Sequence, residues 1–388
     1  MAKQTQQQEP DKPSPSYISR VRLKGYKSII DTEVTFKPGL NIIIGANGSG
    51  KTNFVEFLRQ VLHLKINEIS KKYEVDVEFV FNRHHCQYQL SYMISPPDNF
   101  NISTGKIDEK FIIDYKINFQ RNNEYQPKIA SQIEWRNLYP IYILFGIPIQ
   151  FNNIENLIEF EILPASAIFM DSPNPDLIIS WETKPPVTDG LNRFLREIFQ
   201  NHVKLDQETE EIPILFKTYL KRFTPIKDIR LAPNYNISRS HKGGLLVQYI
   251  KFEFLLNNQW LTWNQLSDGT KRIFYIITEV TFANNVILLE EPELGIHPHQ
   301  LIRLMDFIKE QSETKQIILT THSPEVLNAL KMNELDQIIV ARYDKEKGTQ
   351  MSHLSDDDME HARSYMKDKL FLSDFWVMSG FETEGEEA

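Results

Sequence analysis

Gly45-Ala46-Asn47-Gly48-Ser49-Gly50-Lys51-Thr52 fits the pattern G-x-x-x-x-G-K-[ST], and the residues on either side of it decide the fold. Upstream, Leu40 to Ile44 form a nearly continuous apolar run ending at Gly45, which predicts a buried strand. Downstream, Phe54, Val55, Leu58, Val61 and Leu62 follow helical spacing and predict a helix from Thr52 to Leu64. Strand, glycine-rich loop and helix in that order make a phosphate cradle. The glycines let backbone N–H groups turn inward, and the helix adds its positive end. Gly45, Asn47, Gly48, Ser49, Gly50 and the following Asn53 are the expected nucleotide contacts. Lys51 is expected to reach the β- and γ-phosphates, and the Thr52 hydroxyl to coordinate magnesium. ATP and Mg2+ are therefore the expected ligands.

The chain has 388 residues, ample for one large α/β domain or two modest ones. A formal net charge of -9 argues against a generally basic nucleic-acid coat, while leaving room for local basic patches. Cys86 is the only cysteine, so no intrachain disulfide can form, and a cytoplasmic home is expected. No apolar run is long enough to cross a bilayer, and no signal-peptide core is present at the polar N-terminus. No membrane partner is expected.

Residues 1–17 are rich in Gln, Pro and Lys and read as a disordered tail. Residues 18–120 read as the first part of an ATPase domain, beginning with strands and the glycine-rich loop. From Tyr73 to Phe119, VDVEFVF, CQYQLSYMI and KFIIDYKINF alternate between polar linkers and predict antiparallel strands. Residues 121–244 read as an inserted lobe, with helix candidates at NRFLREIF and PILFKTYLKRF. Residues 245–345 return to strand and helix in alternation, with VILLEE and QIILTTH as buried parallel strands and helices beginning after Gly269, Pro298 and Ser323. Residues 346–388 read as a helical extension ending in the acidic tail ETEGEEA.

Three further motifs carry chemistry. Val286 to Glu293 (VILLEEPE) is a buried strand ending in adjacent carboxylates. P-loop ATPases place one acid near magnesium and the next near the attacking water in this way. Glu290 is then the candidate metal ligand and Glu291 the candidate general base. Two acids at a helix start, favoured by its dipole, also fit these residues. Leu266 to Arg272 (LSDGTKR) precedes a helical pattern; Ser267 and Gly269 can bind phosphate at a helix N-terminus, and an ordinary helix cap fits them equally. Ile317 to Pro324 (IILTTHSP) puts His322 at a strand end, a position compatible with a structural or a catalytic role. His84-His85-Cys86 invites a metal reading, but adjacent strand residues point to opposite faces.

Taken together, the motifs in RLKGYKSI…LNIIIGANGSGKTN, LSDGTKR, EEPELGIHP and TTHSPEVL resemble the ABC ATPases of the SMC, RecF and OLD (overcoming lysogenisation defect) grouping. The resemblance covers residues 18–95 and 245–345. It implies an α/β P-loop NTPase of ABC type, with a mixed sheet core, an antiparallel β subdomain and an inserted lobe. It implies that Ser267 and Gly269 of one copy close over the ATP held by another, making a homodimer. It makes His322 the switch histidine that touches the γ-phosphate, and catalysis is expected from Glu291, Lys51 and His322. Leu294 to Pro298 match a D-loop, which puts His297 at the dimer interface. Tyr26, Lys27 and Ser28 fall where family contacts to base and phosphate occur. Two departures stand out. No Q-loop glutamine is evident between the P-loop helix and LSDGTKR, which resembles the LSGGQ-like signature of ABC ATPases, and no room follows residue 345 for the Toprim nuclease domain of full OLD proteins.

The resemblance implies a magnesium-dependent ATPase that switches a separately encoded nuclease or toxin in bacterial anti-phage defence. A RecF-like ATPase in DNA repair is the alternative, with Lys217, Lys221, Arg222, Lys227, Arg230, Arg239 and Lys242 as the candidate phosphate-contacting strip. A transporter subunit is disfavoured by EEPELGIHP, by the antiparallel insertion and by the missing Q-loop.

Overall fold

The computed structural model describes residues 17–62, 72–81, 84–95, 112–121, 124–133, 160–163, 176–179, 194, 197–199, 212–233, 236–239, 245–248, 251–282, 286–368 and 370–380. Residues 1–16 and the acidic tail lie outside them, as do the side chains of His84, His85, Cys86, Arg239 and Lys242.

Chain order begins with a hairpin. β1 (Tyr17–Tyr26) and β2 (Ile29–Thr35) pair antiparallel across a two-residue turn, where Lys27 takes φ 48°. β3 (Leu40–Ile44) is buried throughout and leads into the glycine-rich loop and α1 (Lys51–Leu62). β4 (Lys72–Phe81), β5 (His84–Ser95), β6 (Ile112–Arg121) and β7 (Glu124–Ile133) form an antiparallel meander on β1. β8 (Phe160–Leu163) follows, then β9 (Asp176–Ile179) and α2 (Ile214–Phe223). Next come β10 (Asp228–Leu231), β11 (Asn236–Arg239), β12 (Leu245–Gln248), β13 (Phe252–Leu256) and β14 (Gln259–Thr262). The chain continues through α3 (Asp268–Phe282), β15 (Val286–Glu290), α4 (Pro298–Ser312) and β16 (Gln316–Thr321). β17 (Ile338–Asp344), β18 (Gly348–His353), α5 (Asp356–Lys367) and α6 (Leu372–Ser379) complete the described residues.

One mixed sheet of twelve strands runs β7-β6-β5-β4-β1-β2-β18-β17-β3-β16-β15-β8. β17, β3, β16, β15 and β8 are parallel to one another. Strand alternation splits their side chains between two cores. Leu40, Ile42 and Ile44 face one core and Ile43 the other; Ile287 and Leu289 part from Val286 and Leu288 in the same way. On one face α1 packs Phe54, Val55, Phe57 and Leu58 against the sheet. On the opposite face α3 and α4 cover it with Ile273, Ile277, Leu304 and Phe307.

Gln316 ties the hairpin to this core. Its fully buried amide accepts from the Ile18 N–H at 2.8 Å and donates to the Ile18 carbonyl at 2.8 Å, satisfying backbone beside the β1 bulge between Ile18 and Arg20. The end of the region read as a lobe shares the main core. Phe216, Leu220 and Phe223 line one face of α2, and Phe216 meets Phe274 of α3 with ring centroids 5.9 Å apart. Phe194 and residues 197–199 are helical, in line with NRFLREIF. Two local expectations need correction. After Ser323 the chain forms 3-10 turns over Pro324–Ala329, not an α-helix. Residues 346–388, read as a helical extension, begin with β18, paired to β17 in the main sheet, before α5 and α6. No described helix is long and apolar enough to cross a membrane.

Candidate functional site

β3, β16 and β15 lie side by side, and the carboxyl end of each delivers one part of the site. Ile44 stands opposite Thr321, and Thr320 opposite Glu290, so the three strand ends are level. A parallel sheet spends its buried strands on packing and leaves chemistry to the loops beyond their carboxyl ends.

The loop after β3 closes on Lys51, which is 5% exposed. Its ammonium donates to the carbonyls of Gly45 at 2.7 Å and Ala46 at 2.9 Å, and lies 3.4 Å from Ser49 Oγ. Helix α1 has no acidic residue in its first turn, so nothing there opposes an anion at its N-terminus. Thr52 is exposed at the mouth of the loop. Gly48 takes φ +83° with open space where a Cβ would stand, whereas Gly50, at φ +95°, would put a Cβ 2.0 Å from Thr349 Oγ1. Asn53 turns toward the first hairpin, donating to Ser28 Oγ at 2.8 Å, and Ser28 meets Thr349 Oγ1 at 2.8 Å. Tyr26 is buried; Lys27 pairs with Glu56 at 2.5 Å, its ammonium 5.5 Å from the Tyr26 ring centroid.

At the ends of β15 and β16, Glu291 Oε1 lies 3.3 Å from His322 Nδ1, an ion pair whenever the imidazole carries a proton. Glu293 Oε1 is 4.0 Å from the same nitrogen and accepts a short hydrogen bond from the Thr321 hydroxyl. His322 Nδ1 and Glu293 Oε2 are shut off from solvent and make no hydrogen bond among the described residues. Leaving such atoms unpaired costs on the order of 1–3 kcal/mol each, a cost that needs a reason. Glu291 has φ 45°, the left-handed region that side chains rarely adopt. Its N–H donates to the Thr320 carbonyl at 2.8 Å. Its own carbonyl accepts from Leu294 N at 3.2 Å and from Arg272 Nη2.

Arg272 comes from α3, one turn past Ser267. Ser267 is exposed, with its Oγ 2.9 Å from Thr270 Oγ1 and accepting weakly from the Thr270 N–H at 3.3 Å. A Cβ on Gly269 would lie 2.8 Å from the Gly295 carbonyl, so the start of α3 and the turn after Glu293 touch within one chain. His297 is exposed at the N-cap of α4, its ring stacked on His299 at 5.4 Å. Burial pushes the Glu293 carboxyl above the usual carboxylate range, against the pull of the Thr321 hydroxyl and of His322. Burial also lowers the Arg272 guanidinium, opposed by Glu293 and Glu291. For Arg272 desolvation outweighs the attraction of the two acids.

The structure thus brings Lys51, Glu290, Glu291 and His322 to adjacent strand ends, and sets Ser267 and His297 on the surface. Arg272, Glu293 and Thr349 were not singled out by sequence. Their only signal was position: Arg272 closes the quoted LSDGTKR and Glu293 the quoted EEPE. The residues present fit a nucleoside triphosphate with its magnesium: an open loop at Gly48, a buried ammonium, an exposed hydroxyl at Thr52 and a carboxylate–imidazole pair one strand away. Among the described residues no group of three or more His, Cys, Asp or Glu side chains is placed to hold a metal alone.

A family profile described as "AAA domain, putative AbiEii toxin, Type IV TA system" matches residues 40–328. Septu protein PtuA of Bacillus thuringiensis is 24% identical over 346 residues, covering 82% of this chain and 74% of that protein. DNA replication and repair protein RecF of Streptococcus agalactiae serotype V is 22% identical over 361 residues, covering 81% and 94% respectively. An SMC head bound to the C-winged helix domain of ScpA superposes with TM-score 0.51 at 18% identity, over 89% of this chain and 99% of that one, which shows the fold.

Proposed function

We propose a function from one premise: the chain belongs to that AAA-domain family and is an ABC-type P-loop ATPase of the SMC and RecF grouping. In this reading it is a cytoplasmic protein that hydrolyses ATP with magnesium between two copies of itself, and uses the cycle to switch a separately encoded effector in bacterial anti-phage defence. The observation that carries the reading is the Glu291–His322 pair at 3.3 Å, one strand away from the Lys51 loop.

The residues divide the work. Lys51 and the inward N–H groups of Gly48 to Thr52 hold the phosphates. Glu291 takes a proton from the attacking water, and His322 orients that water and senses the terminal phosphate. Thr52 and Glu290 would hold magnesium, which supplies positive charge to the phosphate oxygens when bound. Ser267, exposed before α3, and the half-buried Gly269 in its first turn would close over the nucleotide of a second copy, with His297 at the seam. The relation to PtuA, and the toxin–antitoxin description of the family, support an ATPase that acts together with another chain.

The test is the solution mass of the Glu291→Gln chain by light scattering, with and without ATP and magnesium. An ATP-dependent doubling of mass, abolished by Lys51→Ala or Ser267→Arg, supports the sandwich. A mass indifferent to nucleotide overturns it. An effector should co-purify only in one nucleotide state.

The likeness to RecF over 94% of that protein's length favours a second reading, a DNA-binding repair ATPase. Within the basic strip, Lys217 pairs with Asp228 at 2.9 Å, Arg222 with Glu310 at 2.6 Å and Arg230 with Glu253 at 2.7 Å. Exposed pairs of this kind are weak, and three acids among the basic residues reduce the attraction of the strip for a polyanion. DNA affinity that falls steeply with salt and disappears in Lys221→Glu/Arg222→Glu would put this reading first.

A further inference from the structure

We propose that Arg272 is a positioning residue for Glu291, fixing from the signature helix the left-handed backbone that aims the carboxylate at its water. The proposal rests on the reading of Glu291 as the general base. Direction is the issue at this residue: with φ at 45°, its side chain leaves the backbone on a course that an ordinary strand or helix residue would not take. Such a conformation persists only where the surroundings over-determine it. Here Thr320 holds the N–H, while Leu294 N and Arg272 Nη2 hold the carbonyl. The first two restraints belong to the strand and turn that contain or flank Glu291. Arg272 alone among them reaches in from α3, the helix whose first turn presents Ser267 outward.

A cheaper arrangement for stability was open to the fold. Arg272 is 4% exposed and Glu293 9%, and burying such a pair is commonly neutral or unfavourable against apolar residues of the same volume. The charged groups facing Arg272 are Glu293 and Glu291 from the turn after β15, with His322 of the β16 end against both acids. Glu293 and Glu291 attract the enclosed guanidinium, and its Nη2 donates to the Glu291 carbonyl. A structural reading remains to be separated from this one: that Arg272 serves only to neutralise Glu293.

The experiment compares four full-length chains: wild type, Glu291→Gln, Arg272→Gln, and Arg272→Gln/Glu293→Gln. The double variant has no orphaned charge, so it stays folded even where the single arginine variant does not. Three quantities are read: single-turnover ATP hydrolysis with magnesium, nucleotide affinity, and hydrogen exchange of the Glu291 amide in the nucleotide-free chain. Positioning predicts that the double variant binds nucleotide within about twofold of wild type yet turns over on the order of 10- to 100-fold more slowly, as a misplaced catalytic group does. It also predicts faster exchange at Glu291 with unchanged protection of β3. Arg272→Lys, which keeps the charge but not the planar reach, should fall between. A double variant with wild-type turnover overturns the proposal and leaves Arg272 as a counter-charge. So does lost turnover with Glu291 protection unaltered. If Glu291→Gln itself hydrolyses at the wild-type rate, the base assignment fails, and the amide exchange still decides whether Arg272 holds that backbone.

Discussion

Replacing Gly50 with alanine tests how the nucleotide loop is built, and needs no nucleotide. Gly50 adopts φ +95°, and an added Cβ would stand 2.0 Å from Thr349 Oγ1, 2.8 Å from Thr349 Cγ2 and 2.9 Å from Ser28 Oγ. Two costs add. Forcing an L-residue into the left-handed region costs about 1–2 kcal/mol. Overpacking a site whose neighbour is fully buried adds about 1–3 kcal/mol, since Thr349 is 0% exposed and has no room to retreat. Restricting the unfolded chain gives back about 0.4–1 kcal/mol. The expected net loss is about 2–4 kcal/mol. Gly48, at φ +83° with nothing near its absent Cβ, has the strain without the clash, and Gly48→Ala should cost only about 1 kcal/mol. Urea unfolding followed by circular dichroism ranks the two. Adding Thr349→Ala to Gly50→Ala should recover most of the difference. If Gly50→Ala is no less stable than Gly48→Ala, the close contact with β18 does not exist in solution and the account of the loop is wrong.

Two other predictions concern stability. Because burial raises the Glu293 carboxyl above its ordinary 4.5, the folded chain binds its proton more tightly than the unfolded one does. That contribution is present below pH 4.5 and is lost as pH rises, so the stability of Glu293→Gln relative to wild type should increase from pH 4 to pH 7; a flat difference in denaturation midpoints would refute it. Ser355 caps α5 by accepting from the Asp358 N–H at 3.1 Å, while Asp358 accepts from the Ser355 N–H at 3.3 Å. Ser355→Ala should cost about 1 kcal/mol in the same unfolding assay, and an unchanged midpoint would mean that α5 is held by its packing alone.

How much of this was legible in the sequence depended on where the constraint lies. A phosphate cradle constrains consecutive residues, so Gly45 to Thr52 announced both the strand before it and the helix after it. The acid pair and His322 were readable for the same reason, each closing a short apolar strand. Alternation in VDVEFVF and KFIIDYKINF marks the meander, whereas Pro127 and Ala130 dilute the β-branched content of β7 and hide it. PEVLNAL carries apolar spacing close to helical, and six residues are too few for that spacing to separate α from 3-10. Arg272 and Glu293 were illegible for a different reason. A charged side chain reads as solvated until the fold shows it enclosed, and its partners here come from the far ends of other elements. Likewise α2 follows a long stretch of aromatic-rich sequence, and only packing shows Phe216 and Phe223 meeting α3 and α4.

The join between β2 and β18 bears on how force would travel through the molecule. The five antiparallel strands from β7 to β1, with β2, join the rest of the sheet at one ladder position, Ile29 opposite Gly348, and side chains extend that join from Thr32 to the Thr349 carbonyl and from His353 to Thr35. The Thr349 N–H bond to the Ser28 carbonyl at 2.8 Å reinforces it. Neither residue can spread the load: a Cβ on Gly348 would lie 2.3 Å from that same carbonyl, and Thr349 abuts Gly50. A pull on the meander therefore reaches the nucleotide loop from two sides, through Thr349 beside Gly50 and through α1, whose Phe57 packs on Tyr26 and Tyr73. The seating of the meander and the floor under the phosphates thus share the same residues, Ser28, Gly50 and Thr349.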